Sequence, residues 1–477
     1  MKEAKIKKKY DVCIIGAGIA GICAAYELSK NTNLSILLIE KGNDIRKRKC
    51  HKILTTRINR CLDCKDCDLT TGFGGAGCFS GGKFNMTTEF GGNLADYIGE
   101  ESTENTIKYV DEIITKFGEE QKVFDGKSKF ADDFCMEALK YDLHLTEAKI
   151  KHLGIENNVN VLVNMYEYLK YKVDIFCNTE VIDIMSAKEK FTLNILNKDL
   201  NNVFVTCKYL IAAPGKEGSN WLKKQFEKLD IQIINGELDI GVRVELPEKV
   251  MHDITENLYE AKLHYLTKSH NKFVRIFDMN PYGYVVNEKF GNFKIANGHS
   301  CFLDEKKHSK NTNFALLVSL DLEGLNKNLY AETMALNTSI FAGNDNLIVQ
   351  RYADLKAGRA TTEKKLSQST VKPTYDAVPG NLGLVMPKDI LDNIIETLEV
   401  LNKLIPGVTN ADTLLYGLEV KFYSDKPETF YNLELNEYAN FYVIGDGSGI
   451  TRGLAQAGAS GIVAARSIIE NEKSKTE

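Results

Sequence analysis

The run Gly16-Ala17-Gly18-Ile19-Ala20-Gly21 has the spacing with which a polypeptide grips a pyrophosphate. Gly16 permits a tight turn, Gly18 lets the backbone approach the phosphates, and Gly21 lets a helix pack closely on a strand. Tyr10 to Ile15 is an apolar β-forming run, and Ile22 to Leu28 continues in alanine-rich helical composition, so the motif falls between strand and helix. The helix start, with Ala20 inside it, supplies unpaired N–H groups and a positive dipole end. A second strand, Leu34 to Ile39, ends at Glu40, followed by Lys41. A carboxylate there can accept from both hydroxyls of a ribose and opposes a 2′-phosphate. The chemistry these residues can do is dinucleotide binding.

Cys61, Cys64 and Cys67 form a Cys-x-x-Cys-x-x-Cys run, with Cys50 upstream and Cys78 downstream. Two-residue spacing lets thiolates converge on Zn or an Fe-S cluster, the fourth ligand coming from Cys50 or Cys78. The same spacing permits a redox disulfide, and a set of reduced thiols with no bound partner is the third reading.

Far downstream, Phe441 to Ile444 is an apolar strand leading into Gly445-Asp446-Gly447-Ser448-Gly449, and Thr451-Arg452-Gly453 opens an alanine-rich helix through about Ile469. This order is similar to that of flavoproteins of the glutathione reductase type. The resemblance implies FAD, with Asp446 after the Gly445 turn on the ribityl chain and the backbone at Gly453, Leu454 and Ala455 facing the flavin. Lys208 to Gly215 resembles the strand and small-residue turn of the same superfamily, which implicates Ala213 and Gly215. Asn178-Thr179-Glu180-Val181 resembles the segment whose backbone reads adenine, which implicates Val181. No second G-x-G-x-x-G follows, so a separate nicotinamide domain is not expected.

Across nearly its full length the chain resembles a bacterial and archaeal family of FAD-dependent dehydrogenases. The carriers are Thr71-Gly72-Phe73-Gly74-Gly75-Ala76-Gly77-Cys78-Phe79-Ser80-Gly81-Gly82-Lys83, Asp239 to Glu245, Asn297-Gly298-His299-Ser300, Asn313 to Val318, Gly358 to Thr361, Pro373 to Tyr375 and Tyr416 to Tyr423. The family often has aspartate where Gly81 stands and a cysteine near Asp278, so roles of those residues do not transfer. The resemblance implies a flavin-facing loop with Gly74 and Gly75 against the cofactor. Ser80 and Lys83 are the first polar side chains that loop offers, and His299 is the first choice for handling a proton. Arg243, Arg275, Glu419, Lys421 and Tyr423 are weaker candidates, because charged strand residues commonly point to solvent. The remaining histidines, His152 among them, read as scattered surface residues.

The elements that position these groups must come from a large chain. Its 477 residues favour two interlocked domains, and 43% apolar with 26% charged residues is a globular composition. The expected fold is α/β: a glutathione-reductase-like, three-layer FAD-binding domain of Rossmann type, with a second, mixed α+β substrate domain. Residues 1–90, 155–235 and 410–477 are assigned to FAD, 236–409 to substrate and 91–154 to a helical insertion, with helical spacing over Glu104 to Phe117. Phe273 to Phe277, Tyr284 to Val286, Lys294 to Ala296 and Ala315 to Leu320 read as strands, and Lys388 to Leu404 as a helix.

A net charge of -5 gives no reason to expect nucleic acid or an anionic membrane. The basic runs at Lys5 to Lys9 and Arg46 to Lys49 read as solvated faces. No stretch reads as a signal or an anchor, which points to the cytoplasm. The leading function is an FAD-dependent oxidoreductase acting on a small-molecule substrate. A flavin electron-transfer protein with a cluster at the cysteines and an RNA-modifying flavoenzyme are the alternatives.

Overall fold

A computed structural model describes residues 6–49, 64, 67–124, 126–146, 149–187, 190–197, 199, 201–234, 236, 238–290, 293–300, 305–320, 327–343, 346–422 and 424–475. The chain divides into two compact units, one of residues 1–123, 149–236 and 424–477, the other of 124–148 and 237–423.

The first unit is built on a sheet whose centre is β1 (Lys9–Ile15), flanked by β2 (Ile36–Ile39). The helix α1 (Ile19–Asn31) joins them, and β3 (Lys83–Asn85) and α2 (Glu100–Phe117) follow. Next come β4 (Ile150–His152), α3 (Ile155–Leu169), β5 (Asp174–Phe176), β6 (Glu180–Ala187), β7 (Lys190–Leu196) and β8 (Asn202–Ala212). From the far end of the sequence come β9 (Phe441–Val443) and α4 (Leu454–Lys473).

The sheet runs β5-β2-β1-β8-β7-β6, with β9 also on β8. β8 serves two partners in succession. Its first half pairs antiparallel with β7, and its last residues, Leu210 to Ala212, pair parallel with β9. Parallel strands covered on their faces read as continuous apolar runs, and β1 and β2 do so: Val12 to Ile15 and Ile36 to Ile39 are all buried. Against them pack the small residues of α1 and α4, where Ala20, Ala24, Ala25, Ala459, Ala464 and Ala465 let two helices approach closely.

The second unit holds an eight-stranded sheet with Leu238–Pro247 at its middle, between Leu414–Phe422 and Asn311–Leu320. Leu238, Ile240, Val242, Val244 and Leu246 alternate onto the face that carries an apolar core with the helices Glu248–Leu258 and Lys388–Leu404. Asp239, Arg243 and Glu245, on the other face, are buried as well. Residues 91–154, read from the sequence as a helical insertion, are split: α2 belongs to the first unit, while the helix Lys129–Leu139 and the strand Leu143–Thr146 belong to the second.

Candidate cofactor site

Gly16 has φ +97°, and a Cβ there would lie 2.2 Å from the Ala213 carbonyl oxygen. Glycine is required on both counts. Gly21 allows α1 to sit on the turn, since a Cβ would stand 2.1 Å from the Gly16 oxygen. Gly18, at the N-cap of α1, has nothing within 4 Å of where its Cβ would be, and the same is true of Gly215 and Gly453. Gly99, Gly343 and Gly358 are open in the same way, so Gly18, Gly215 and Gly453 are the open ones among the glycines assigned to the dinucleotide.

Glu40, at the end of β2, is buried, and its carboxylate accepts three backbone N–H groups. Oε2 takes Ala17 N at 2.9 Å, and Oε1 takes Gly42 N at 2.9 Å and Gly72 N at 3.0 Å. A carboxylate has roughly four lone-pair sites, so one is left for a ribose hydroxyl, where two hydroxyls were expected. Lys41 beside it is exposed. Thr179 N bonds the Glu40 carbonyl at 2.9 Å and Asn178 N the Gly42 carbonyl at 2.8 Å, which brings Val181 and its segment alongside.

The glycine-dense loop lies across the fingerprint. Gly74 N donates to the Ala17 carbonyl at 2.7 Å, and a Cβ on Gly75 would be 3.1 Å from the Gly18 Cα. From the far end, Gly445 approaches Ala20, where a Cβ would meet the alanine methyl at 3.1 Å. Leu454 packs on Gly77, and Gly447 on the Gly215 carbonyl. The Asp446 carboxylate, half-buried, accepts Thr451 Oγ1 at 2.7 Å and Gly453 N at 3.1 Å. Burial pushes its pKa up, against those bonds. Gly453 caps α4, whose first residues are Leu454 and Ala455. Three distant stretches therefore converge on one end of β1.

The loop is held from behind by residues the sequence reading passed over. Arg48, placed there in a solvated basic run, is 4% exposed. Its guanidinium donates to the carbonyls of Asp68, Leu69, Gly72, Phe73 and Gly75. Burial lowers its pKa, against the fields of Cys78, Glu40 and Asp68. Asn158 of α3 donates to the carbonyls of Gly77 at 2.6 Å and Cys78 at 3.0 Å. The only sequence signal for Arg48 was a long-chain donor shortly before a run of glycines.

Ser80 is occupied within the loop: its hydroxyl donates to the Gly77 carbonyl at 2.7 Å and accepts from Gly82 N at 3.2 Å. Lys83 opens β3, opposite His152 of β4. His152 is buried, contrary to the surface reading, and a Cβ on Gly81 would lie 2.6 Å from its Nε2. His299 belongs to the second unit, at the end of the strand Phe293–His299 and across from Tyr284. Burial and the charge of Lys307 lower its pKa, so the neutral, proton-accepting imidazole is favoured.

Arg243, Glu419 and Lys421 do not point to solvent. Arg243 is fully buried and binds Glu419 with two parallel bonds, at 2.8 and 2.7 Å, and Asp278 Oδ2 at 2.9 Å. Lys421 reaches the same Glu419 at 3.2 Å. Arg275 pairs with buried Asp239, and Tyr423 lies outside the described residues.

Of the proposed metal ligands, Cys50 and Cys61 lie outside the described residues. Cys64 is exposed, Cys67 half-buried and Cys78 in the apolar core. Among the described residues no group of three or more His, Cys, Asp or Glu side chains is arranged to hold a metal ion. No described helix is long and apolar enough to cross a membrane.

Residues 237–422 match the family described as FAD-dependent protein, C-terminal domain-like, and residues 11–49 match the FAD dependent oxidoreductase family. The chain is an FAD-dependent oxidoreductase. The second match covers β1, the glycine turn, α1, β2 and Glu40, the elements that build the dinucleotide end of the site. This oxidoreductase matches no curated protein. Among solved structures it is similar to a geranylgeranyl bacteriochlorophyll reductase-like protein of Thermoplasma acidophilum, at 14% identity over 98% of this chain and 80% of that one, TM-score 0.41. It is also similar to glycine oxidase of Geobacillus kaustophilus, at 11% identity over 98% and 95%, TM-score 0.39. A third is L-proline dehydrogenase of P. horikoshii, at 13% over 98% and 95%, TM-score 0.40.

Proposed function

We propose that this FAD-dependent oxidoreductase transfers hydride between the flavin N5 and a small organic substrate, on an FAD domain of the glutathione reductase type. The observation that carries the reading is the convergence of the fingerprint, the glycine loop and the Asp446 turn on one end of β1. Bound FAD would supply the two-electron chemistry. The open backbone at Gly18 and the start of α1 hold the pyrophosphate, and the remaining lone pair of Glu40 takes a ribose hydroxyl. Asp446 holds the ribityl chain, and the start of α4 faces the flavin with its positive dipole end.

His299, held neutral by burial, accepts the substrate's proton, and the second unit carries the groups that select the substrate. Ser80 acts through the loop it closes, and Lys83 orients the substrate beside it. The partners are small molecules and not nucleic acid, and the site of action is the cytoplasm.

Purified protein should be yellow and release about one FAD per chain on heating. Anaerobic bleaching of that absorbance, screened first with NADH and NADPH and then with metabolites, identifies the reductant. With the reductant in hand, H299A should slow flavin reduction while retaining FAD. In the unaltered protein the rate should fall as pH drops through a value below the ordinary ~6.5 of histidine, because protonation removes the acceptor. A rate that is unchanged by H299A removes His299 from the mechanism.

A further inference from the structure

Arg48 is a cation buried without an ion pair. Its guanidinium spends its donors on peptide carbonyls: Nε and Nη2 reach Asp68 at 2.9 and 2.7 Å, and Nη1 reaches Phe73 at 2.8 Å and Gly75 at 2.9 Å. Among the described residues no carboxylate oxygen bonds it; the Glu40 and Asp68 carboxylates act on it only through space, and the Phe79 ring lies 5.1 Å away. Carbonyls can satisfy the donors of a guanidinium, but they do not cancel its charge. Burial outweighs the fields of those two carboxylates, so a further negative charge nearby would stabilise the guanidinium.

The geometry of the loop says where that would be. In a trans peptide the C=O and the following N–H point in opposite directions. With the Phe73 and Gly75 carbonyls turned onto Arg48, the N–H groups of Gly74 and Ala76 are turned to the other side. There Gly74 N meets the Ala17 carbonyl at 2.7 Å, and Gly75 lies against Gly18. The guanidinium therefore stands one peptide layer behind the fingerprint, and the intervening peptide dipoles present their positive ends to it.

We propose that Arg48 is a positioning residue for the cofactor pyrophosphate, holding the glycine loop in place and acting on the phosphates with its charge across that loop. The proposal rests on the FAD reading of the first unit, and the experiment separates the two. FAD-free protein is titrated with FAD and, separately, with ADP, which carries the pyrophosphate without the flavin, for the wild type, R48M and R48K. R48M keeps the stem but loses bonds and charge, whereas R48K keeps the charge but cannot span both sets of carbonyls.

R48M should lose at least tenfold in affinity for both ligands, and R48K should recover a measurable part for both. Circular dichroism confirms that each variant is folded, and R48K serves should R48M fail that check, its affinity then lying between wild type and no detectable binding. Equal affinities for R48M and wild type overturn the proposal, as does a folded R48K no better than a folded R48M. A wild type that binds neither FAD nor ADP overturns the FAD reading itself.

Discussion

Glu40 and Arg48 stand on opposite sides of Gly72, the carboxylate taking its N–H and the guanidinium its carbonyl. Neither reads correctly from residue type alone. Glu40 stood out in the sequence because a dinucleotide turn calls for an acid after the second strand, and its ribose contact is part of the proposed function. That it also ties Ala17, Gly42 and Gly72 together was not legible, since Gly72 lies thirty-two residues further on. E40Q replaces one acceptor oxygen by an amide that faces backbone donors. We expect it to cost about 1–3 kcal/mol in stability of the FAD-free protein, as for a buried group left unsatisfied, and to weaken FAD binding. Thermal unfolding and FAD titration check both, and a variant as stable as wild type would mean that the three bonds are redundant. Arg48 was hidden by its neighbours: Arg46, Lys47 and Lys49 are exposed, so a reading by charge density was right for three residues of four.

At the level of elements, the strands and helices that alternate or repeat apolar residues were legible in place and type, while several run up to four residues beyond the expected bounds, as in Tyr284–Phe290, Asn311–Leu320 and Glu100–Phe117. The helix Lys388–Leu404 begins and ends where its apolar spacing does, and Phe273–Asn280 extends the expected strand by Asp278, Met279 and Asn280. What pattern could not show is that Leu238–Pro247 buries both faces, because Asp239, Arg243 and Glu245 mimic a solvated side. Their partners come from other strands. Gly298 permits the hairpin Tyr284–His299 to close over that polar face. A Cβ there would stand 2.3 Å from Asn280 Nδ2 and from Asn313 Oδ1, and 2.8 Å from Arg243 Nη1.

G298A should therefore lower the unfolding temperature measurably. E419Q, which breaks a buried ion pair, should cost about 3–5 kcal/mol. Asp354 is a further hub. Burial pushes its carboxyl up, but bonds from Lys365, Arg359 and Thr361 prevail and leave its pKa at about 2. A carboxyl lowered on folding stabilises the protein above its ordinary value of ~3.9, and that contribution disappears as pH falls through the folded value. D354N should accordingly destabilise by about 2 kcal/mol at pH 7 and by much less near pH 2. Denaturant unfolding at the two pH values measures the difference.

For the molecule as a whole, every residue assigned to FAD lies in the first unit. Free FAD at about a hundred times its Kd should raise stability by about 2.7 kcal/mol, and the melting temperature should climb with FAD concentration. A melting temperature insensitive to FAD would contradict the reading. The cofactor site draws on β1 near the start of the sequence and on β9 and α4 beyond residue 440, the latter strand completing β8 at Leu210 to Ala212. A ribosome working through this message releases the glycine fingerprint hundreds of codons before its counterpart. Flavin loading must then wait for synthesis to be nearly finished, and any product truncated before β9 would leave the ribosome colourless.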